Sequence, residues 1–185
     1  MCLVFIVMGV SGAGKSTVAQ ALASALNLPY FDADDFHSDV NKAKMASGEP
    51  LTDADREPWL NSLASAIGQW QNKEQQNEEA KSKEEATEEG ADKRQGAVLA
   101  CSALKESYRQ RLIGNSAAVR LVYLKASYEE IYGRMEERQN HYMKADMLKS
   151  QFAALEEPKD AIVVNASLSI EKIVEQIIDS AKLKK

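Results

Sequence analysis

Very little in this 185-residue chain invites a disulfide, a metal cluster or a bilayer. Cysteine occurs twice, at Cys2 and Cys101, far apart and each in apolar, strand-like surroundings; this suits buried thiols in a reducing cytosol, and neither a disulfide framework nor a metal site. The apolar start from Leu3 to Met8 is too short to cross a membrane and runs straight into a glycine-rich turn, so it reads as a core strand and not as a signal peptide. A cytoplasmic chain without a membrane partner is the expectation. Excess positive charge is missing as well: 23 Lys and Arg against 28 Asp and Glu leave a formal charge of -5, which excludes a general nucleic-acid binder and points to a small substrate. No internal repeat is present, and the length suits one domain spanning 1–185 with a sizeable core.

What is present begins with Gly9-Val10-Ser11-Gly12-Ala13-Gly14-Lys15-Ser16, in which glycines, Lys and Ser have the spacing of a phosphate-cradling loop. A continuous apolar run precedes it, as in a strand buried on both faces. Apolar residues at helical spacing follow, at Val18, Leu22, Ala25 and Leu26, so the glycines fall where a strand becomes a helix N-terminus. There, glycines free the backbone to aim N–H groups at phosphate oxygens, Lys15 spans the outer phosphates, and the Ser16 hydroxyl is a ligand for Mg²⁺ on a bound nucleotide.

Along the chain, Pro29-Tyr30-Phe31 is a short second strand that delivers Asp32, Asp34 and His37 to its carboxyl end, where ligands bind in open α/β sheets. One carboxylate of the pair suits a metal-bound water, the other an attacking hydroxyl. Asp39 to Ser47 reads as a short helix stopped by Gly48; Thr52 caps a turn holding Arg56, and a longer helix is predicted from near Pro58. Arg56 is a candidate grip for an anionic substrate. Residues 72–95 form a low-complexity acidic insertion without a large apolar residue, read as a solvated extension of that helix and, less favoured, as a partner-binding tail.

Further strands are predicted at 97–101, 119–124 and 161–165, each followed by a helix. Ser102 and Lys105 fall at a strand end that faces the ligand crevice, Ser102 serving either the substrate or the next helix as a cap. Ser127 caps a helix carrying Arg134 and Arg138 one turn apart on one face, and Gln139 to Met143 interrupts it before a helix resumes at 145–154; about 134–148 would form a small helical lid that excludes water. The expected fold is therefore α/β, a three-layer sandwich around a five-stranded parallel sheet of the P-loop kinase type. Two absences weaken other nucleotide-binding classes. The strands at 97–101 and 119–124 run into Ser102 and Lys125, without the acid that motor-type ATPases place there. Asn41-Lys42-Ala43-Lys44 lacks the aspartate of a guanine-reading segment.

Several runs together resemble the gluconokinase family: Met8 to Ser16, Asp32-Ala-Asp-Asp-Phe-His37, Lys44 to Leu51, Asp53-Ala-Asp-Arg-Glu-Pro-Trp-Leu60, Cys101 to Lys105 with Tyr108-Arg109, and Gln151-Phe152. The likeness covers nearly the whole chain outside the acidic insertion. It implies ATP-dependent phosphorylation of D-gluconate to 6-phospho-D-gluconate, a feed into the pentose phosphate pathway, and a fold similar to shikimate and adenylate kinases. It also implies ATP and Mg²⁺ as cofactors and, since many relatives are dimers, a homodimer. Carried onto this sequence, Gly9, Val10, Ser11, Gly12, Ala13, Gly14, Lys15, Ser16 and Thr17 hold the nucleotide with Arg134. Lys15, Asp34 and Arg138 are catalytic, Asp34, His37, Arg56, Lys105 and His141 meet the sugar acid, and Ser16 and Asp32 serve the metal. Asn140 before His141 and Tyr142-Met143 after it depart from the family's lid pattern. Another small-molecule kinase, for shikimate or a nucleotide, and a non-catalytic nucleotide-binding regulator are the alternatives.

Overall fold

Strand β1, Leu3–Met8, is walled in on both faces, and its side chains divide with the period of two that a pleated strand imposes. Phe5 and Val7 join one apolar cluster; Val4, Ile6 and Met8 join another on the opposite face. In this computed structural model, which describes residues 3–71, 96–137 and 145–183, β1 is the centre of a parallel sheet. The other strands are β2 (Tyr30–Asp32), β3 (Gly96–Ala100), β4 (Val119–Lys125) and β5 (Ile162–Asn165), in the order β2-β3-β1-β4-β5. Ile6 stands beside Leu99 on one side and Leu121 on the other. The predicted parallel five-stranded sheet is observed, with β2 and β3 displaced by one residue from their expected bounds.

Helices cover both faces, as parallel crossovers require. On one side lie α1 (Lys15–Leu26) and, near the C-terminus, Ile170–Leu183; on the other lie Asp53–Gln71 and Glu106–Ile113. Among the described residues the helices are, in chain order, α1, α2 (Asp39–Ala46), α3 (Asp53–Gln71), α4 (Glu106–Ile113), α5 (Tyr128–Glu137), α6 (Ala145–Ala154) and α7 (Ile170–Leu183). Leu22 of α1 and Ile177 of α7 are fully buried in the first layer, Leu63 and Ile67 of α3 in the second.

Two local expectations change. Helix α3 starts at Asp53 and carries Pro58 inside it. Thr52 and Asp55 make the start: Thr52 Oγ1 accepts from the Asp55 N–H at 3.2 Å, while Asp55 Oδ2 accepts from the Thr52 N–H at 2.9 Å. Pro58 is close enough to that end for its missing donor and fixed φ to be tolerated. Arg56 thus belongs to the first turn of α3, not to a loop. Ser102 does not cap α4, whose N-cap residue is Lys105. The turn from Cys101 to Lys105 is instead gathered by Arg109, a buried side chain whose Nη1 donates to the carbonyls of Ala103 (3.0 Å) and Leu104 (2.9 Å). The insertion at 72–95, Cys2, Arg138 and His141 lie outside the described residues.

Candidate active site

The carboxyl ends of β1, β2 and β3 carry the residues that matter. After β1 the chain turns through Gly9 (φ 150°), Gly12 (φ 83°) and Gly14 (φ 91°), and Gly14 is the N-cap of α1. Gly12 is needed twice over: its φ is left-handed, and a Cβ there would meet Ile131 Cγ2 of α5 at 2.9 Å. The loop opens directly into the N-terminus of α1, where backbone donors and the helix dipole favour a phosphate. Lys15 curls back so that Nζ donates to the Val10 carbonyl at 3.0 Å. Burial lowers the pKa of its ammonium, against the pull of Asp34 and Asp32. Cys101 lies close by, fully buried, its thiol pushed up to about 12 by desolvation, so it stays protonated and serves as packing, as expected.

Asp32, the last residue of β2, is the hub of the acidic turn. Its Oδ2 accepts from Ser16 Oγ at 3.1 Å and from the Tyr30 hydroxyl at 2.9 Å, and its Oδ1 caps the following 3-10 turn, Ala33–Phe36, by accepting from the Asp34 N–H at 3.1 Å. Asp34 itself is exposed to solvent. Protein packed around its carboxyl raises its pKa, and the charge of Asp32 raises it further. Asp32 is thus committed to Ser16, Tyr30 and the backbone of its own turn, and Asp34 is the carboxyl whose proton affinity its surroundings raise.

His37 follows in the same turn, buried and stacked on Trp59 of α3 with ring centroids 4.6 Å apart and planes 6° from parallel. Trp59 is pinned by its Nε1 donating to the Ala33 carbonyl at 2.7 Å. Desolvation lowers the pKa of His37, and its Nδ1 is buried without a hydrogen-bond partner among the described residues. A buried polar atom left open in this way is suited to a ligand hydroxyl.

Across from this turn stands a cationic cluster. Lys105 Nζ holds both oxygens of Asp53 at 2.8 and 2.9 Å, Tyr108 OH donates to the same carboxylate, and Arg56 Nη1 lies 3.8 Å from it while donating to the Leu51 carbonyl at 2.6 Å. Arg56 and Lys105, 49 positions apart in the sequence, therefore share one anchor. Asp53 and Tyr108 had no role in the sequence reading; their appearance in the runs Asp53 to Leu60 and Tyr108-Arg109 was the available signal. Arg134 is less simply placed. Half-buried on α5, it donates from Nη2 to the Ala166 carbonyl, after β5, at 2.8 Å.

Among the described residues no group of three or more His, Cys, Asp and Glu is built to hold a metal on its own, and no helix is long and apolar enough to cross a membrane. Ser16 and Asp32 supply hard oxygen donors beside the phosphate loop, a donor set that fits Mg²⁺ arriving with nucleotide phosphates and water.

The sheet order, the glycine loop and the acidic turn together define an α/β P-loop phosphotransferase of the small-molecule kinase class. A family model described as an AAA domain matches residues 6–157. A gluconokinase of Gluconobacter oxydans is 38% identical across 94% of this chain and 88% of its own length. A probable gluconokinase of Mus musculus is 37% identical across 97% of each chain. The solved structure of a gluconokinase from Sinorhizobium meliloti superposes with a TM-score of 0.78 at 31% identity, covering 98% of this chain and 93% of the other. The chain belongs to the gluconokinase family.

Proposed function

We propose that this protein transfers the γ-phosphoryl group of ATP to the primary hydroxyl of D-gluconate, forming 6-phospho-D-gluconate and ADP and so feeding the pentose phosphate pathway. Its relatives' name supplies the acceptor, and the observation that carries the reading to this chain is the juxtaposition of an acidic turn, a phosphate loop and a shared cationic cluster at one end of the sheet. In this reading Gly9 to Thr17 bind the phosphates, Lys15 leaves the Val10 carbonyl for the outer phosphate oxygens, and Arg134, Arg138 and His141 belong to the lid. Ser16 and Asp32 hold Mg²⁺, which when bound neutralises phosphate charge. Arg56 and Lys105 receive the sugar-acid carboxylate, and His37 Nδ1 meets a hydroxyl.

Asp34 then accepts the proton of the attacking hydroxyl as its oxygen bonds to phosphorus and the bond to the ADP oxygen breaks. Its raised proton affinity brings it nearer to the group it serves. Positioning and electrostatics supply most of the acceleration, since the transfer needs little covalent help from the protein. A cytoplasmic setting and a homodimer belong to the same reading.

The deciding experiment is ADP release from MgATP with D-gluconate, shikimate, other sugar acids, nucleoside monophosphates or no acceptor. Stimulation by D-gluconate alone is expected. Stimulation by another acceptor keeps the kinase and discards this pocket assignment, and acceptor-independent release turns the case towards an NTPase.

A further inference from the structure

The carboxyl ends of β3, β1 and β4, the three central strands, are stapled by one short stretch of chain, the end of α6 and the residues after it. Gln151 reaches the phosphate loop: its Oε1 accepts from the Ser11 N–H at 2.7 Å and its Nε2 donates to Ser11 Oγ at 3.1 Å. A backbone N–H can only donate, so the orientation of the amide follows from chemistry. Glu156 reaches the turn after β3. Its N–H donates to the Leu104 carbonyl at 2.9 Å, and its carboxylate accepts from the Glu106 N–H at 2.6 Å, on either side of Lys105. Glu157 reaches the end of β4, where Lys125 Nζ lies 2.9 Å from its carboxylate. Between these anchors Leu155 packs against the apolar clusters of both sheet faces, as a residue crossing the rim of the sheet must.

We propose that residues 151–157 are a strap that holds the phosphate loop and the Lys105 turn in one fixed relation, with Gln151 as a positioning residue for the nucleotide phosphates. The argument is conformational. Gly9 and Gly12 lie on either side of Ser11 at positive φ, and within the loop the Val10–Ser11 peptide is held only at its carbonyl, in part by Lys15, a contact that is given up when Lys15 turns to phosphate. Gln151 occupies the apex amide and hydroxyl together and thereby sets the direction of the donors that follow it. A cradle ordered before the ligand arrives spares the ligand that ordering. Neither a phosphate-loop pattern nor helical periodicity contains this contact, because its partners are 140 positions apart.

The proposal rests on nucleotide binding and not on the identity of the acceptor. It is tested on the full chain by titrating MgATP and MgADP without acceptor, with thermal melts alongside, for Gln151→Ala, Gln151→Glu and Ser11→Ala. Gln151→Ala is expected to weaken MgATP about tenfold, with the melting temperature lowered by only a few degrees as the two hydrogen bonds are lost from the unliganded fold. Gln151→Glu keeps the acceptor for the Ser11 N–H but loses the donor and adds a negative charge beside the loop. It should weaken MgATP more than MgADP and recover as pH falls and the new carboxyl protonates. Ser11→Ala, which retains the backbone contact, should cost the least. Unchanged MgATP affinity in Gln151→Ala overturns the proposal, as does an affinity loss matched by collapse of the melt in both Gln151 variants or an equal loss for ATP and ADP in Gln151→Glu. If D-gluconate fails to stimulate the wild type, the acceptor assignment falls while these titrations still judge Gln151.

Discussion

Asp34 is where chemistry and stability pull in opposite directions. Partial desolvation of its carboxyl and the charge of Asp32 raise its pKa above the ordinary 3.8, so the fold favours its neutral form. The penalty for ionising it is absent below the unfolded-state pKa, grows as pH rises through the folded value and is complete above that. Asp34→Asn should therefore raise the melting temperature at pH 7 while lowering kcat by about a hundredfold or more, a trade that melts and steady-state kinetics measure together. Near-normal turnover in that variant would remove Asp34 from its assigned role. The acid limb of the wild-type pH–kcat profile should lie above the ordinary aspartate value of 3.8, and Asp32→Asn should move it to lower pH by deleting the neighbouring charge, whatever happens to its height. Lys15→Ala should lose about a hundredfold or more in kcat with the fold intact, because an ammonium aimed at the transferring group acts mainly in the transition state. The residue types of this site were legible in the sequence, down to the pair Asp32 and Asp34. Their division of labour came from the family resemblance alone, because spacing treats the two carboxylates alike and cannot tell which one Ser16 and Tyr30 engage.

At the scale of elements, caps and close approaches decide most. Gly12→Ala must strain a left-handed backbone and push against Ile131 of α5, so weaker nucleotide binding is expected in a titration, whereas Gly14, with nothing near its missing Cβ among the described residues, is constrained there by φ. Thr52→Ala removes the reciprocal cap of α3 and should cost about 1 kcal/mol in chemical denaturation. Because α3 carries Arg56, Trp59 and the Asp53 anchor, the same change should also raise KM for the sugar acid. Arg56→Ala should raise that KM further with kcat little affected, the signature of lost ground-state binding. Helix and strand periodicities revealed nearly every element here. The start of α3 was misplaced because proline at a helix's first turn is a common pattern, while the Thr52 and Asp55 box that begins the helix earlier is a local competitor with two hydrogen bonds on its side. Ser102 was open between two roles because its neighbour Ala103 takes a left-handed φ of 42°, a turn held from inside by Arg109 that no local pattern announces.

For the molecule as a whole, stability comes from two apolar layers pressed on one sheet, and each should respond separately. Leu22→Ala, beneath α1 and α7, and Leu63→Ala, beneath α3, each delete a side chain with no exposed surface and should cost about 2–5 kcal/mol in denaturant unfolding. Leu63→Ala should in addition disturb the Trp59 and His37 stack that the same helix supports, so its KM for the acceptor should rise more than that of Leu22→Ala. The sequence by itself determined the α/β class, the phosphate loop, the acidic turn and, through runs spread along nearly the whole chain, the family. These are written in local spacing: an apolar run, glycines at set intervals, carboxylates at a strand's end, each legible within a few residues because backbone geometry is local. Only the tertiary structure decided that Arg56 and Lys105 share Asp53, that His37 lies flat against Trp59 with one nitrogen open, and that Gln151 ties a late helix to the first loop. Those contacts join residues distant in sequence, and what brings them together is the parallel sheet, which sets β3, β1 and β4 side by side and gathers the loops at their carboxyl ends onto a single edge.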